Sequence, residues 1–285
     1  MFERRRPGLR TVLVATAVAV ATATGAASAV AAPAAAPPPA PAFNLFGVHK
    51  QTHEMWQWYR QGPLLATGGP DGGDHSDLAD RISVDNVGNG DGYGSWTLYK
   101  NGRLDFSGWV DGQWRPAKTV GRGWDTYRTV LSPGTLGGAK EADLIGLDRA
   151  GVLWIHLGYP DGRLTTRARV GGGWGQYTEL AGQGDLTGDG RSDITARDKA
   201  GVLWLYKGTG DHKAPFAGRT KIGGGWNVYD RLLSVGDINA DGKVDLLARK
   251  TTGELLRYSG TGDAARPFTA PTQIKGAYMK EFNLL

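Results

Sequence analysis

Two loops of ten residues concentrate oxygen-bearing side chains at regular spacing. Residues 184–193 read GDLTGDGRSD, and residues 236–245 read GDINADGKVD. After the leading glycine, positions one, three, five and nine carry side-chain oxygens and position seven offers a backbone carbonyl. A hard cation such as Ca²⁺ takes about six to eight such oxygens. The spacing therefore predicts two Ca²⁺ loops, with these ligands: Asp185, Thr187, Asp189, the carbonyl of Arg191 and Asp193 in the first, and Asp237, Asn239, Asp241, the carbonyl of Lys243 and Asp245 in the second.

Two features weigh on this interpretation. Turns rich in Asp, Asn and Gly are common on surfaces without any metal, so a single loop would not separate the two possibilities. Two loops in phase with a repeat favour Ca²⁺. Position twelve is Ala196 in one loop and Ala248 in the other, and strand-like residues follow. A helical EF-hand carries a bidentate Glu there, so that class is excluded.

Two further copies of the loop are incomplete. Residues 134–143 keep only Asp143, and residues 85–93 keep three polar positions, which are Asp85, Asn89 and Asp91. We therefore expect two good cation sites and one degenerate site.

A second phrase, apolar-Gly-x-Gly-Trp-x-x-Tyr, recurs three times, and IKGAYMKEF resembles a worn fourth copy. Its aromatic positions are Trp124, Trp174, Trp226 and, in the worn copy, Tyr278. An indole face can stack on the C–H side of a pyranose, which makes these residues candidate ligand-binding positions. They can also pack between repeats as architecture, and we favour packing because the phrase recurs.

The same sequence offers no catalytic constellation. It has no G-x-S-x-G elbow and no H-E-x-x-H motif, and its five histidines are scattered. A pair of glycosidase carboxylates is not recognisable from sequence, and the best-placed aspartates belong to the loops. We therefore expect a non-enzyme, with a hydrolase as the alternative.

A repeat of 49 to 52 residues positions these loops and aromatic residues. Copies of the unit begin at residues 44, 93, 143, 193 and 245, and each alternates short β-type runs with Gly or Asx turns. A period near 50 residues with three or four strands is typical of a propeller blade. The sequence thus predicts an all-β fold, a β-propeller of five blades over residues 43–285. The final EFNLL matches an inner run, so we expect the C-terminal strand to close the first blade; the alternative is an open array.

The loops and the hairpin that follows them resemble FG-GAP/VCBS repeats, as in integrin α-chain propellers. The resemblance is specific over residues 184–285 and weaker upstream. In that family the loops bind Ca²⁺ between strands of a blade, although integrin propellers have seven blades. The Gly-Gly-Gly-Trp-x-x-Tyr phrase and the five-fold count also resemble tachylectin-type lectins, whose sugar pockets lie between blades.

The N-terminal segment has a different composition. Residues 1–32 combine four arginines with an uncharged Ala/Thr-rich stretch and small residues at Ala27-Ser28-Ala29, which predicts a secretory signal peptide rather than a membrane anchor. Residues 33–42 form a Pro/Ala linker. Loss of the leader removes four arginines and one glutamate, three net positive charges, so the formal charge falls from +5 to +2. We expect no nucleic-acid binding and no membrane span after cleavage.

These observations predict a secreted, extracellular binding module. Its expected partner is a glycan or cell-surface polymer. A protein–protein adhesion domain is the alternative, and a secreted hydrolase is the third choice. The chain has no cysteine, so neither disulfides nor a thiolate metal site contributes.

Overall fold

The computed structural model describes residues 40–61, 64–85 and 93–285. The expected signal peptide, most of the linker, and Asn89 and Asp91 of the degenerate loop lie outside these residues. Within them, twenty strands form five antiparallel sheets of four strands each. The sheets are arranged as a five-bladed β-propeller, which confirms the predicted fold class.

Blades 1 and 2 use the N-terminal strands and, in blade 1, the last strand. Blade 1 has the order β20-β1-β2-β3 and blade 2 the order β4-β5-β6-β7. The bounds are β1 Leu45–His49, β2 Met55–Gln61, β3 Leu64–Pro70, β20 Phe282–Leu284, β4 Leu78–Asp85, β5 Tyr93–Tyr99, β6 Leu104–Val110 and β7 Gln113–Gly121.

Blades 3, 4 and 5 each consist of four consecutive strands, β8–β11, β12–β15 and β16–β19. The bounds are β8 Tyr127–Gly134, β9 Asp143–Asp148, β10 Leu153–His156, β11 Ala168–Gly171, β12 Tyr177–Ala181, β13 Ile194–Asp198, β14 Leu203–Tyr206, β15 Thr220–Gly223, β16 Tyr229–Leu233, β17 Leu246–Lys250, β18 Glu254–Tyr258 and β19 Thr272–Tyr278.

The C-terminal strand closes the ring. β20 pairs antiparallel with β1, with Gly47 opposite Leu284 and Val48 opposite Asn283. The backbone N–H of Leu285 also donates to the carbonyl of Phe46 at 3.0 Å. Closure covers the strand edge that blade 1 would otherwise expose, so the predicted closure is confirmed and the open array is excluded.

The first strands of blades 2 to 5 surround the central axis. A cavity of about 70 Å³ lies at this axis. It is lined by residues 80–83, 129–132, 180–183 and 231–235, together with Phe43 and Leu285. Glu179 and Arg231 approach each other at 3.8 Å beside this cavity, and Glu179 accepts a hydrogen bond from the backbone N–H of Leu232 at 3.1 Å.

The hydrophobic core lies between blades. One cluster joins Leu203 and Leu205 of blade 4 to Trp226 and Tyr229 at the start of blade 5. Equivalent clusters join blade 2 to blade 3, blade 3 to blade 4, and blade 5 to blade 1. A four-stranded blade cannot bury both of its faces alone, so stacking blades around the axis supplies most of the apolar burial.

A short 3₁₀ turn introduces each of blades 3, 4 and 5 at the aromatic phrase. The turns are Trp124–Thr126, Trp174–Gln176 and Trp226–Val228. The glycine before each tryptophan has a φ between 79° and 86°, a left-handed conformation that a residue with a Cβ adopts at a cost. This conformation explains why the second glycine of the phrase recurs.

Arginine side chains connect successive blades at these turns. Arg249 in β17 donates to the carbonyls of Met279 at 3.0 Å and Phe282 at 2.7 Å. Arg197 in β13 donates in the same way to Trp226 and Tyr229, and Arg128 in β8 to Tyr177. Each guanidinium thus ties its own blade to backbone carbonyls at the start of the next blade. Within the described segments, no helix has the length and apolar character needed to span a bilayer.

Candidate functional site

The first aspartate of each predicted cation loop is bound by the loop's own backbone. Asp185 accepts hydrogen bonds from the N–H groups of Thr187 at 2.8 Å, Gly188 at 2.7 Å and Gly190 at 2.6 Å. In the second loop, Asp237 accepts from three N–H groups at 2.7 to 3.2 Å, which belong to Ala240, Asp241 and Gly242. The carboxylate folds the chain around itself, as in a multiple Asx turn.

The middle aspartate of each loop lies at the surface. Asp189 accepts from the N–H of Arg191 at 3.1 Å, and Lys207 lies 3.4 Å from its other oxygen. Asp241 accepts from the N–H of Lys243 at 3.0 Å and from the side-chain amide of Asn239 at 2.8 Å. These carboxylates remain accessible to a cation from solvent.

The last aspartate of each loop is buried and joins two segments of its blade. Asp193 accepts from the N–H of Leu186 at 2.9 Å with one oxygen and from the N–H of Gly208 at 2.8 Å with the other. Asp245 does the same with Ile238 and Gly260, both at 3.0 Å. We call this arrangement the aspartate staple.

The staple also exists where the cation loop does not. Asp143 accepts from Leu136 at 2.8 Å and from Gly158 at 3.0 Å, although residues 134–142 contain no other aspartate. Burial raises the pKa of Asp143, Asp193 and Asp245 to about 6 each, against the lowering effect of the two backbone hydrogen bonds. The staple therefore belongs to the blade architecture.

The donor chemistry of both loops fits a hard cation, because carboxylate, hydroxyl, amide and carbonyl oxygens are what Ca²⁺ prefers. The side chains of the two loops are not gathered around one point, however. In the segments that the structure describes, no three His, Asp or Glu side chains converge as a metal-holding group. A basic side chain lies beside each loop instead: Lys207 near Asp189, and Arg60 3.8 Å from Asp237.

The three tryptophans of the aromatic phrase are buried. Trp124, Trp174 and Trp226 are only 6 to 7% exposed. Each packs against an aromatic ring of the third strand at 4.5 to 4.6 Å between centroids; the partners are His156, Tyr206 and Tyr258. Burial and this packing agree with the architectural interpretation of the phrase.

The tyrosine of each phrase also reaches the third strand through its hydroxyl. Tyr177 bonds Tyr206 at 2.5 Å, and Tyr229 bonds Tyr258 at 2.7 Å. In blade 3, Tyr127 bonds Nε2 of His156 at 2.9 Å. The third-strand aromatics were missed by sequence reasoning, although their recurrence in phase, as in VLWLYKG and ELLRYSG, was a usable signal.

The worn copy of the phrase is shifted by one residue. The N–H of Met279 donates to the carbonyl of Gly253 at 2.8 Å, as the N–H of Trp226 does to Gly201. The same Met279 carbonyl accepts from Arg249 in the way Trp226 accepts from Arg197. Met279 and not Tyr278 therefore occupies the tryptophan position. The side chain of Tyr278 lies outside the described part of the structure.

A cavity of about 260 Å³ opens beside Trp226. Its lining is contributed by the glycine run, the 3₁₀ turn, β18 and the segment before β19. The residues are Ile222, Gly223, Gly224, Gly225, Trp226, Val228, Tyr229, Tyr258, Phe268 and Thr269. None of them is charged at neutral pH, and burial raises the pKa of the Tyr258 phenol above its usual range. The lining thus combines apolar faces with neutral hydroxyl groups and glycine backbone.

Comparison with known protein families agrees with part of this description. Residues 185–248 match the family model described as an FG-GAP-like repeat. No curated protein sequence matches the chain. The match spans the first loop, the Trp226 phrase and the second loop, which are the segments that carry the sequence resemblance.

One solved structure shares the fold at low sequence identity. The chain is similar to the BP39L lectin from Burkholderia pseudomallei, with a TM-score of 0.50, 13% identity, and coverage of 85% of this chain and 71% of the lectin. Lower scores relate it to BBS1N, solved in complex with ARL6DN (0.42, 12% identity, 86% and 75% coverage), and to Prp20p from Saccharomyces cerevisiae (0.36, 12%, 78% and 59%). The chain is a five-bladed β-propeller in which residues 185–248 match the FG-GAP-like repeat model.

Proposed function

We propose that this protein is a non-catalytic binding module that recognises carbohydrate in the cleft beside Trp226. The observation that carries the proposal is the uncharged aromatic cavity of about 260 Å³. Ligand sites combine apolar and aromatic walls with a few placed polar groups, and the hydroxyls of Tyr229, Tyr258 and Thr269 are such groups.

The chemistry of the lining favours binding over catalysis. No Asp, Glu, His, Lys or Arg side chain lines this cavity, so it contains no general acid–base pair. A sugar presents hydroxyls at its edge and C–H groups on its faces, which match neutral hydroxyls and aromatic rings. The likeness to a propeller lectin concerns the fold and is compatible with this proposal.

The cation loops have a supporting role in the proposal. Ca²⁺ would be held by Asp185, Thr187, Asp189, the Arg191 carbonyl and Asp193, and by the corresponding five residues from Asp237 to Asp245. The ion would supply positive charge that ties loop oxygens together. The leader composition further supports secretion, with an extracellular glycan or cell-surface polymer as partner.

A glycan array with matched tyrosine variants tests the site. Tyr258→Phe keeps the ring and removes one cavity hydroxyl, so binding should weaken about ten-fold, as for one lost hydrogen bond to ligand. Tyr206→Phe removes the same hydroxyl from the Trp174 repeat and should leave binding unchanged. Equal losses in both variants, or no glycan bound by the native protein, would reject the proposal.

One observation favours protein adhesion as the second candidate. Tyr93, Trp109 and Trp114 lie side by side at one end of blade 2, with centroids 6.3 to 6.4 Å apart and exposed fractions of 37 to 60%. Tyr and Trp are enriched at protein interfaces. If binding to an extracellular protein is lost in Trp114→Ser and kept in Tyr258→Phe, this second function replaces the first.

A further inference from the structure

The three clefts of the aromatic phrase differ at the residue directly before the fourth strand of each blade, which is Arg167, Arg219 or Pro271. In the cleft beside Trp174, Arg219 donates from Nη1 to the Tyr177 hydroxyl at 2.6 Å and to Oε1 of Gln176 at 3.0 Å. Its guanidinium lies 4.0 Å from the centroid of the Trp204 ring. Arg219 therefore occupies the Tyr177 hydroxyl, which the cleft would otherwise offer to a ligand.

The cleft beside Trp124 has the same cover. Arg167 is the counterpart of Arg219, and its guanidinium lies 4.3 Å from the centroid of Trp154. Burial raises the pKa of the Tyr127 phenol, and the positive charge of Arg167 acts on the same group in the opposite direction. In both blades an aspartate holds the tryptophan ring on which the arginine lies. Nε1 of Trp154 donates to the Asp148 carboxylate, and Nε1 of Trp204 donates to the Asp198 carboxylate, each at 2.8 Å.

The third cleft has lost all three members of this cover. The isolated bridges Gly208–Phe216 and Gly260–Phe268 align blade 4 with blade 5 at a constant offset of 52 residues. At that offset Pro271 replaces Arg219, Leu256 replaces Trp204 and Lys250 replaces Asp198. The 260 Å³ cavity lies in this blade, beside Trp226.

We propose that this position determines which cleft accepts a ligand: Arg167 and Arg219 close two clefts, and Pro271 opens the third. The open cleft takes one neutral, hydroxyl-bearing ring, such as a terminal sugar residue. The sugar identity rests on the proposed function, whereas the opening of the cleft does not.

Size and charge determine the ligand class. The cavity volume lies just below the range of about 300–1,000 Å³ that encloses drug-sized ligands, so one ring fits better than an extended chain. A charged group would lose hydration without gaining a counter-ion from the lining, which is unfavourable. The hydroxyls of a neutral ring can form hydrogen bonds with the hydroxyls of Tyr229 and Tyr258, while its C–H groups face the ring of Phe268.

Solution NMR of the tryptophan indole N–H signals tests the opening independently of sugar recognition. Cyclohexanol, a neutral ring with one hydroxyl, is titrated into the protein, and Trp174 and Trp226 are assigned from Trp→Phe variants. In the native protein only the Trp226 cleft should respond. Pro271→Arg should weaken that response at least ten-fold, or about 1.4 kcal/mol. Arg219→Ala should create a new response at Trp174.

Lys221→Ala is the matched control, because Lys221 is an exposed cation two residues from Arg219. It should leave Trp174 without a response. The inference is overturned if cyclohexanol shifts Trp174 equally in the native protein and in Arg219→Ala, if Pro271→Arg leaves the Trp226 response intact, or if no indole responds. Methyl glucoside and methyl galactoside are then titrated. Their failure at a cleft that cyclohexanol occupies would reject the glycan function and leave the opening mechanism standing.

Discussion

The loops that precede β9 and β13 have equal length and end in the same staple, but they differ in the side chains at positions one, three and five. Asp143 and Asp193 each bind the N–H seven residues before and the N–H fifteen residues after, at 2.8 to 3.0 Å. Where residues 184–193 have Asp185 and Asp189, residues 134–143 have Thr135 and Ala139.

The loop of residues 134–143 closes without an acid at position one or five. The Thr135 hydroxyl donates to the carbonyl of Ala139 at 2.9 Å, where Asp185 in blade 4 gathers three N–H groups. A blade therefore folds with the staple alone. The acids at positions one and five, with the Thr or Asn at position three, are an addition to that architecture, and they distinguish a blade that could bind Ca²⁺ from one that could not.

Removing the staple should have the largest effect, and it should be similar in both blades. Asp143→Ala and Asp193→Ala each leave two buried N–H groups without an acceptor, which costs about 2–4 kcal/mol of unfolding free energy. Urea denaturation in EDTA measures both. As a control, Asp161→Ala removes an exposed carboxylate in blade 3 and should change stability little. A much larger loss for Asp193 than for Asp143 would mean that the two staples are not equivalent.

The pH dependence should isolate the staple of blade 3. Burial raises the pKa of Asp143 to about 6 from an ordinary value of 3.8, so the folded state binds the proton more tightly than the unfolded state. The stabilisation is complete below about pH 4 and is lost as the pH rises through 6, by about 3 kcal/mol at most. Glu141 adds to the upward shift and His212 opposes it.

Asp143→Asn cannot ionise and should lose this part of the pH dependence. Denaturation of the native protein and of Asp143→Asn between pH 4 and 7 measures the difference in unfolding free energy. That difference should change across the pH window in favour of the variant at high pH. A difference that is constant with pH would show that Asp143 titrates normally.

Some of these features can be predicted from the sequence and others cannot. The 49 to 52 residue period was sufficient to predict five blades, because each unit repeats both its turns and its apolar runs. Ring closure was predicted from the match of the final EFNLL to an inner run. The staple was not predictable, since Asp193 meets Gly208 only after the β13–β14 hairpin has formed. The role of Met279 was not predicted from the sequence, because Met279 shares the backbone position of Trp226 but not its aromatic side chain. The open cleft depends on Pro271, a residue with no signal of its own.

Calcium should act on blades 4 and 5 and spare blade 3. If both loops bind, free Ca²⁺ at 100 times Kd stabilises the protein by about 2.7 kcal/mol per site. Thermal melts in EDTA and in Ca²⁺ should show a rise in Tm that halves in Asp189→Ala or Asp241→Ala. Lys140→Ala, in the loop of residues 134–143, should keep the full rise in Tm. An identical Tm of the native protein in EDTA and Ca²⁺ would reduce both loops to turns.

The smallest expected effect concerns Lys207, which lies 3.4 Å from Asp189. Its counterpart in blade 3 is Leu157, so the blade without the acid at position five also lacks the cation beside it. The pair is partly exposed and is worth less than about 1 kcal/mol. Lys207→Met should therefore barely change stability in EDTA. It should tighten Ca²⁺ binding in calorimetry a few-fold, because the ion no longer competes with an ammonium group. Lys213→Met is the control, since it removes a nearby exposed lysine that Asp189 does not contact. Weaker Ca²⁺ binding in Lys207→Met than in Lys213→Met would make the lysine part of the site, and the acids at positions one and five would then no longer be sufficient to distinguish the two blades.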